Sequence, residues 1–168
     1  MQIMENNKLD KNFKNFLPIN RKERYFTGTV LPQIICFENF RYFNRFTNLI
    51  ENFPKELSIN PDSSSNSIQF MTEYSLNESY RIKEGNKIFE NVPTTKETPD
   101  LVILITEPEM YLIVGEAKMY SSGNPGDFYS QFQDQKKIIN CVKYNLNIPD
   151  ENTYHFAILP EQYFNTTS

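Results

Sequence analysis

The chain has 168 residues, a net charge of −4 and 39% hydrophobic residues, with 14 Phe and 10 Tyr as bulky core material; that length suits one domain with a real core. No run approaches the ~18 apolar residues of a transmembrane helix, and the N-terminus, MQIMENNKLDKNFKNF, lacks the apolar stretch of a secretory signal. Cys36 and Cys141 are too few for a disulfide framework or a zinc site, so a cytoplasmic protein with reduced thiols and no membrane contact is expected.

Charge is unevenly spread. Residues 1–45 hold eight Lys/Arg against four acids, and the remaining 123 residues hold nine against seventeen. A basic N-terminal third can meet a phosphate backbone, although an ordinary solvated surface accounts for the same charges.

Residues 1–26 are polar and Lys/Asn-rich and read as a basic arm; residues 27–168 read as a single domain. Thr27 and Thr29 are candidate N-caps, and Pro32 suits a first helical turn. From there to about Glu51 the spacing predicts one helix, with Leu31, Ile35, Glu38, Tyr42, Arg45 and Leu49 on one stripe. Pro54 ends it, and 61–66 is a serine-rich loop. Ser67–Leu76 alternates as a strand with Ile68, Phe70, Thr72, Tyr74 and Leu76 on one face. Asn77–Thr98 is a charged connection or a peripheral hairpin pairing Tyr80–Lys83 with Lys87–Glu90.

The most informative stretch is PDLVILITEPEMYLIVGEAK, Pro99 to Lys118. Leu101–Ile105 and Tyr111–Val114 are β-rich, and the polar segment between them, with Pro108 near its centre, is a turn. In a hairpin symmetric about Pro108, Asp100 faces Glu116. Alternation places Glu116 and Lys118 on one face, with Asp100 beside them. Opposed carboxylates repel, and a divalent cation with oxygen ligands makes the pairing favourable. Asp100 as a turn residue and Lys118 as an edge charge would be the plain alternative. Against it, Glu116 continues a strand that is apolar on both sides.

Downstream, Ser121–Gly126 is a turn, with Asn124 as cap and Pro125 as the first helical residue. Phe128, Phe132, Gln135, Ile139, Val142 and Leu146 recur at four–three–four–three–four spacing and give an amphipathic helix ending near Asn145–Asn147. Tyr154–Leu159 is a short strand, and its lone histidine, His155, reads as structural rather than catalytic. The order helix, three strands, helix, strand predicts an α/β domain with a mixed sheet flanked by helices.

With Pro99-Asp100, fifteen intervening residues and Glu116-Ala117-Lys118 on that element order, the chain resembles the PD-(D/E)xK nuclease superfamily over roughly residues 27–160. The resemblance implies a restriction-endonuclease-like core in the order αβββαβ. It further implies Mg²⁺- or Mn²⁺-dependent hydrolysis of phosphodiesters, in DNA in preference to RNA, of restriction, repair or defence type. Asp100, Glu116 and the Ala117 backbone carbonyl would be metal ligands, and Lys118 the catalytic lysine. Glu38 would supply a carboxylate from the first helix, with Glu73 competing for that role. Gln131 and Gln135, one turn apart, match a glutamine found after the motif in some subfamilies, and Gln135 interrupts an otherwise apolar stripe. Arg41 and Arg45 are candidate phosphate contacts. The alternative is a catalytically silent nucleic-acid-binding or assembly module of the same fold. Because the chain stops soon after the last strand, target recognition is expected from a homodimer, a partner subunit or a larger protein of which this is one part.

Overall fold

A computed structural model describes residues 25–53, 67–76, 78, 89–95, 97–118 and 125–159. The expected basic arm up to Arg24, the 61–66 loop, the peripheral hairpin except Phe89 and Glu90, and the Asn124 cap lie outside the described residues. The architecture is α/β. Four strands form one mixed sheet in the order β1 (Ile68–Thr72), β2 (Leu101–Ile105), β3 (Tyr111–Ala117), β4 (Thr153–Ile158). β1–β2 and β2–β3 are antiparallel and β3–β4 is parallel.

The central hairpin has the register expected from its turn. Leu101 pairs with Gly115, Ile103 with Ile113 and Ile105 with Tyr111. Both strands are apolar on both faces because both faces are covered. Leu101, Ile103, Ile105, Tyr111 and Ile113 pack with Ile35, Phe43, Ile50 and Phe53 from the N-terminal helical region. Val102, Leu112 and Val114 pack with Ile138, Ile139, Cys141 and Val142 of the long helix that connects β3 to β4. That helix, Pro125–Leu146, starts at Pro125 and ends within the expected window, and Gln135, Ile139 and Val142 of its stripe are buried.

The first helical region differs from the single amphipathic helix the spacing predicts. It is a π-helical turn, Phe26–Val30, running into α1 (Leu31–Ile35), then a break, then α2 (Phe43–Thr47). The cause is backbone: Glu38, Asn39 and Phe40 hold positive φ values of 45°, 54° and 66°, so the helical rotation is reset after α1. The expected stripe therefore does not persist. Ile35 is buried, but Leu49 is 83% exposed, and Phe43, Thr47 and Ile50 fill the inner face instead. Pro32 lies in the first turn of α1 as expected, whereas Thr27 is buried within the π-helical turn, and the N-cap positions fall to Tyr25 and Val30.

β1 is shorter than the alternation suggested. Glu73 has φ 49°, and that left-handed residue switches the side to which the following chain turns. Ile68 and Phe70 face the N-terminal helical segments, while Tyr74 and Leu76 join the cluster under the long helix. They do not share one face.

Candidate active site

With its register fixed, the hairpin brings the acidic residues together. The β2 backbone stays paired beyond its formal start, because Tyr74 N–H donates to Pro99 O and Glu73 N–H to Asp100 O, both at 3.2 Å. One step beyond the Leu101–Gly115 pair, Asp100 lies opposite Glu116. Its Oδ2 accepts a 2.8 Å hydrogen bond from the Ala117 N–H, so its carboxylate is anchored on the strand that carries Glu116.

Glu116 points toward the long helix, which we number α3 (Pro125–Leu146), and is only 2% exposed. Burying a carboxylate costs several kcal/mol unless charge and hydrogen bonds compensate. The compensation here is threefold. Lys118 Nζ pairs with Oε1. Gln131 Nε2 donates to Oε1 at 2.8 Å, and Gln135 Nε2 donates to Oε2 at 2.6 Å. Gln131 and Gln135 are one helical turn apart, which is why both amides reach one carboxylate. Proline at the first position suits the start of α3, and the apolar Ile138, Ile139 and Val142 seat that face of the helix over β3.

A fourth residue extends the cluster. Gln135 is fully buried, and its Oε1 lies 3.0 Å from His155 Nε2 on β4. The imidazole stacks on Phe132 with centroids 3.5 Å apart and planes 7° from parallel. Burial, with Lys136 adding to it, pushes the His155 pKa down to about 4, so the ring is neutral at ordinary pH. The sequence alone presents His155 as a plain structural residue. The signal available for its link to the site was strand parity, since it pairs with Val114, two residues from Glu116 on the same face of β3.

Not every expected residue joins this group. Glu38 sits in the left-handed break, half exposed, and its carboxylate pairs with Arg41 Nη1 at 2.6 Å on the surface. Its neighbours Ile35 and Phe43 pack on the sheet face opposite Glu116. Arg41 and Arg45 flank Tyr42, with guanidinium carbons 5.8 and 4.6 Å from the ring centroid, on that same helical segment. Glu73 is exposed at the end of β1. Ala117 enters the cluster through its N–H.

The donor set is oxygen-rich and free of sulfur. Among the described residues no group of three or more His, Cys, Asp or Glu side chains gathers to cage a metal, and no buried side-chain N or O lacks a partner. Two carboxylates are nevertheless the protein complement that Mg²⁺ ordinarily takes, with water and phosphate oxygens filling its other positions. Asp100 and Glu116 fit that chemistry; they do not fit a structural zinc site. No helix among the described residues is long and apolar enough to cross a membrane. No family model, curated protein or solved structure matches this chain, so its function has to be read from these residues.

Proposed function

We propose that the chain is a Mg²⁺- or Mn²⁺-dependent nuclease of PD-(D/E)xK type that hydrolyses phosphodiester bonds in DNA. The observation that carries this reading is the buried Glu116 carboxylate, set opposite Asp100 by the hairpin register and paired to Lys118 on the same strand face. A carboxylate that is merely structural is seldom kept in a core position next to a second acid. Asp100, Glu116 and the Ala117 carbonyl would hold the ion. When bound, it polarises the scissile phosphate and acidifies the attacking water.

The remaining work belongs to the chain's own side chains. Lys118 is 18% exposed, so its ammonium lies where the cluster meets solvent and can stabilise the anionic phosphorane-like charge. Gln131 and Gln135 hold the Glu116 rotamer from the helix side. The restriction-endonuclease-like reading of the fold rests on the same footing: the strand order and the βαβ crossover through α3 are compatible with it.

A plasmid cleavage assay with Mg²⁺ or Mn²⁺ tests the proposal. Wild type should nick or linearise DNA, and Asp100→Ala and Lys118→Ala should each be inactive. Cleavage that survives both substitutions sinks the assignment. One observation favours the second reading, a silent binding or assembly module: Lys118 and Gln131 on Oε1 and Gln135 on Oε2 already give each Glu116 oxygen a donor. That reading expects DNA to be retained in a gel-shift assay and Mn²⁺ to raise the melting temperature, with no cleavage of any DNA or RNA form.

A further inference from the structure

We propose that His155 is a positioning residue for this site, fixing Glu116 through the buried Gln135 amide; the inference rests on the nuclease reading. Glu116 Oε2 can only accept, so Gln135 must turn its NH₂ group toward it. The Gln135 carbonyl then faces His155 Nε2 at 3.0 Å. Two acceptors cannot share that contact, so His155 carries its proton on Nε2. The imidazole donates to Gln135, and Gln135 donates to Glu116.

Each link is held mechanically as well. Stacking on Phe132 at 3.5 Å sets the plane of the imidazole, and full burial leaves Gln135 no solvent to turn toward. Were the amide reversed, its carbonyl would oppose the carboxylate and its NH₂ would face an N–H. With the relay intact, Glu116 Oε2 is tied to α3 while Oε1 is held on the side of Lys118. A β4 residue, distant in sequence from the motif, thereby sets the orientation of the motif's second acid. Outer-sphere partners of this kind are worth about 10- to 100-fold in metal affinity or turnover.

His155 is the only histidine in the chain, so its ¹⁵N resonances are assigned without ambiguity. The expected spectrum is that of the neutral Nε2–H tautomer. His155→Phe keeps a ring against Phe132 and removes the donor; His155→Gln restores a donor of similar reach. Turnover on plasmid DNA at saturating Mn²⁺ should fall about 10- to 100-fold in His155→Phe, with KM unchanged, and recover substantially in His155→Gln. Melting temperatures of both variants report whether each is folded at the assay temperature.

An Nδ1–H tautomer overturns the proposal. So does wild-type turnover in His155→Phe, or a His155→Gln variant that is folded yet no more active than His155→Phe. A wild-type chain that neither cleaves nucleic acid nor binds Mn²⁺ overturns the nuclease reading and this role with it. An active wild type with an unaffected His155→Phe overturns the role alone.

Discussion

The two faces of the four-stranded sheet serve opposite ends. Toward the N-terminal helical segments the buried surface is aliphatic and aromatic, with Phe43, Phe53 and Ile35 laid on Leu101, Ile103 and Ile113. Toward α3 the core begins in the same way, with Ile138, Ile139 and Val142 on Leu112 and Val114. One turn further along, it becomes Gln135 and Gln131 around Glu116 and Lys118. Among the described residues, the two buried side chains bearing a carboxylate or an amide, Glu116 and Gln135, both lie on the α3 face. β3 makes the division by alternation: Gly115 lies on one face and Glu116 on the other. One face holds the fold together by area, and the other spends part of its area on a polar cluster whose members are individually satisfied.

That division can be broken from either side. Phe43 is 1% exposed and packs edge-on to Phe40 at 6.0 Å. Phe43→Ala should destabilise by about 3–5 kcal/mol through lost burial and a residual cavity. Chemical denaturation would measure the loss. Cleavage per folded molecule should stay unchanged at low temperature, because no site residue comes from that face. Glu116→Gln should do the reverse. The amide replaces the carboxylate with little change in volume, so the fold should persist. Metal-dependent cleavage should drop by more than about 10²-fold, beyond what loss of an outer-sphere partner costs. A Glu116→Gln enzyme that retains activity would show that the polar end of the α3 face is only structural.

Gly115 tests the boundary between the faces. A Cβ there would sit 2.6 Å from Phe156 Cζ, with two further ring atoms at 3.0 and 3.1 Å. The same ring packs edge-on with Phe46 at a centroid distance of 6.0 Å, a contact that its withdrawal would disturb. Gly115→Ala should therefore cost about 1–3 kcal/mol by overpacking. Phe156→Leu in the same chain should recover part of that loss, as coupled neighbours do. Additive losses in the double variant would mean that the ring is not what the glycine accommodates.

The hairpin and α3 were legible in the sequence because each carries a strong, uninterrupted pattern. Leu101–Ile105 and Tyr111–Val114 flank a short turn that leaves one sensible register, and that register alone brings Asp100 to Glu116. Gln135 was conspicuous as a polar residue on an apolar helical stripe, and it proves fully buried. The first helical region was not legible. With Phe37, Phe40, Tyr42, Phe43 and Phe46 at five of the ten positions from 37 to 46, the apolar spacing supports several phases, and nothing in it marks the left-handed turn at Glu38–Phe40. Glu38 was placed on an inner stripe for that reason. The left-handed Glu73 similarly hid the change of face after β1. The link from His155 to Gln135 crosses twenty residues of sequence and depends on tertiary packing: strand parity puts the imidazole on the Glu116 face, but no local pattern names Gln135 as its partner.

A smaller effect follows from the His155 environment. Its pKa falls from 6.5 to about 4 on folding, chiefly through burial. Because the unfolded chain binds the proton more tightly, stability is at its plateau above pH 6.5 and declines as pH drops through the window toward 4. Urea midpoints at pH 7, 5.5 and 4.5 measure the slope. In His155→Phe the part of the slope due to this residue should vanish, leaving only what the carboxylates contribute. An identical slope in the two proteins would mean that the imidazole is solvated and charges freely, and the stacked, neutral ring on the α3 face would be the wrong description.

The smallest effect is expected at Glu38, and it separates the two faces most cleanly. Its carboxylate and the Arg41 guanidinium form an i, i+3 pair with side chains 49% and 61% exposed. Exposed pairs of this kind contribute little, because the solvent screens them and both side chains lose freedom in meeting. Glu38 is also held at φ 45°, a conformation in which a glutamate gains nothing over asparagine or glycine. Glu38→Gly should therefore melt at or slightly above the wild-type temperature and cleave DNA at the wild-type rate. If Glu38→Gly instead loses metal-dependent cleavage while remaining folded, the break in the first helical region must rearrange when the ion binds. The carboxylate would then be carried to the site from the opposite face of the sheet, and the division between the faces would hold only for the metal-free protein.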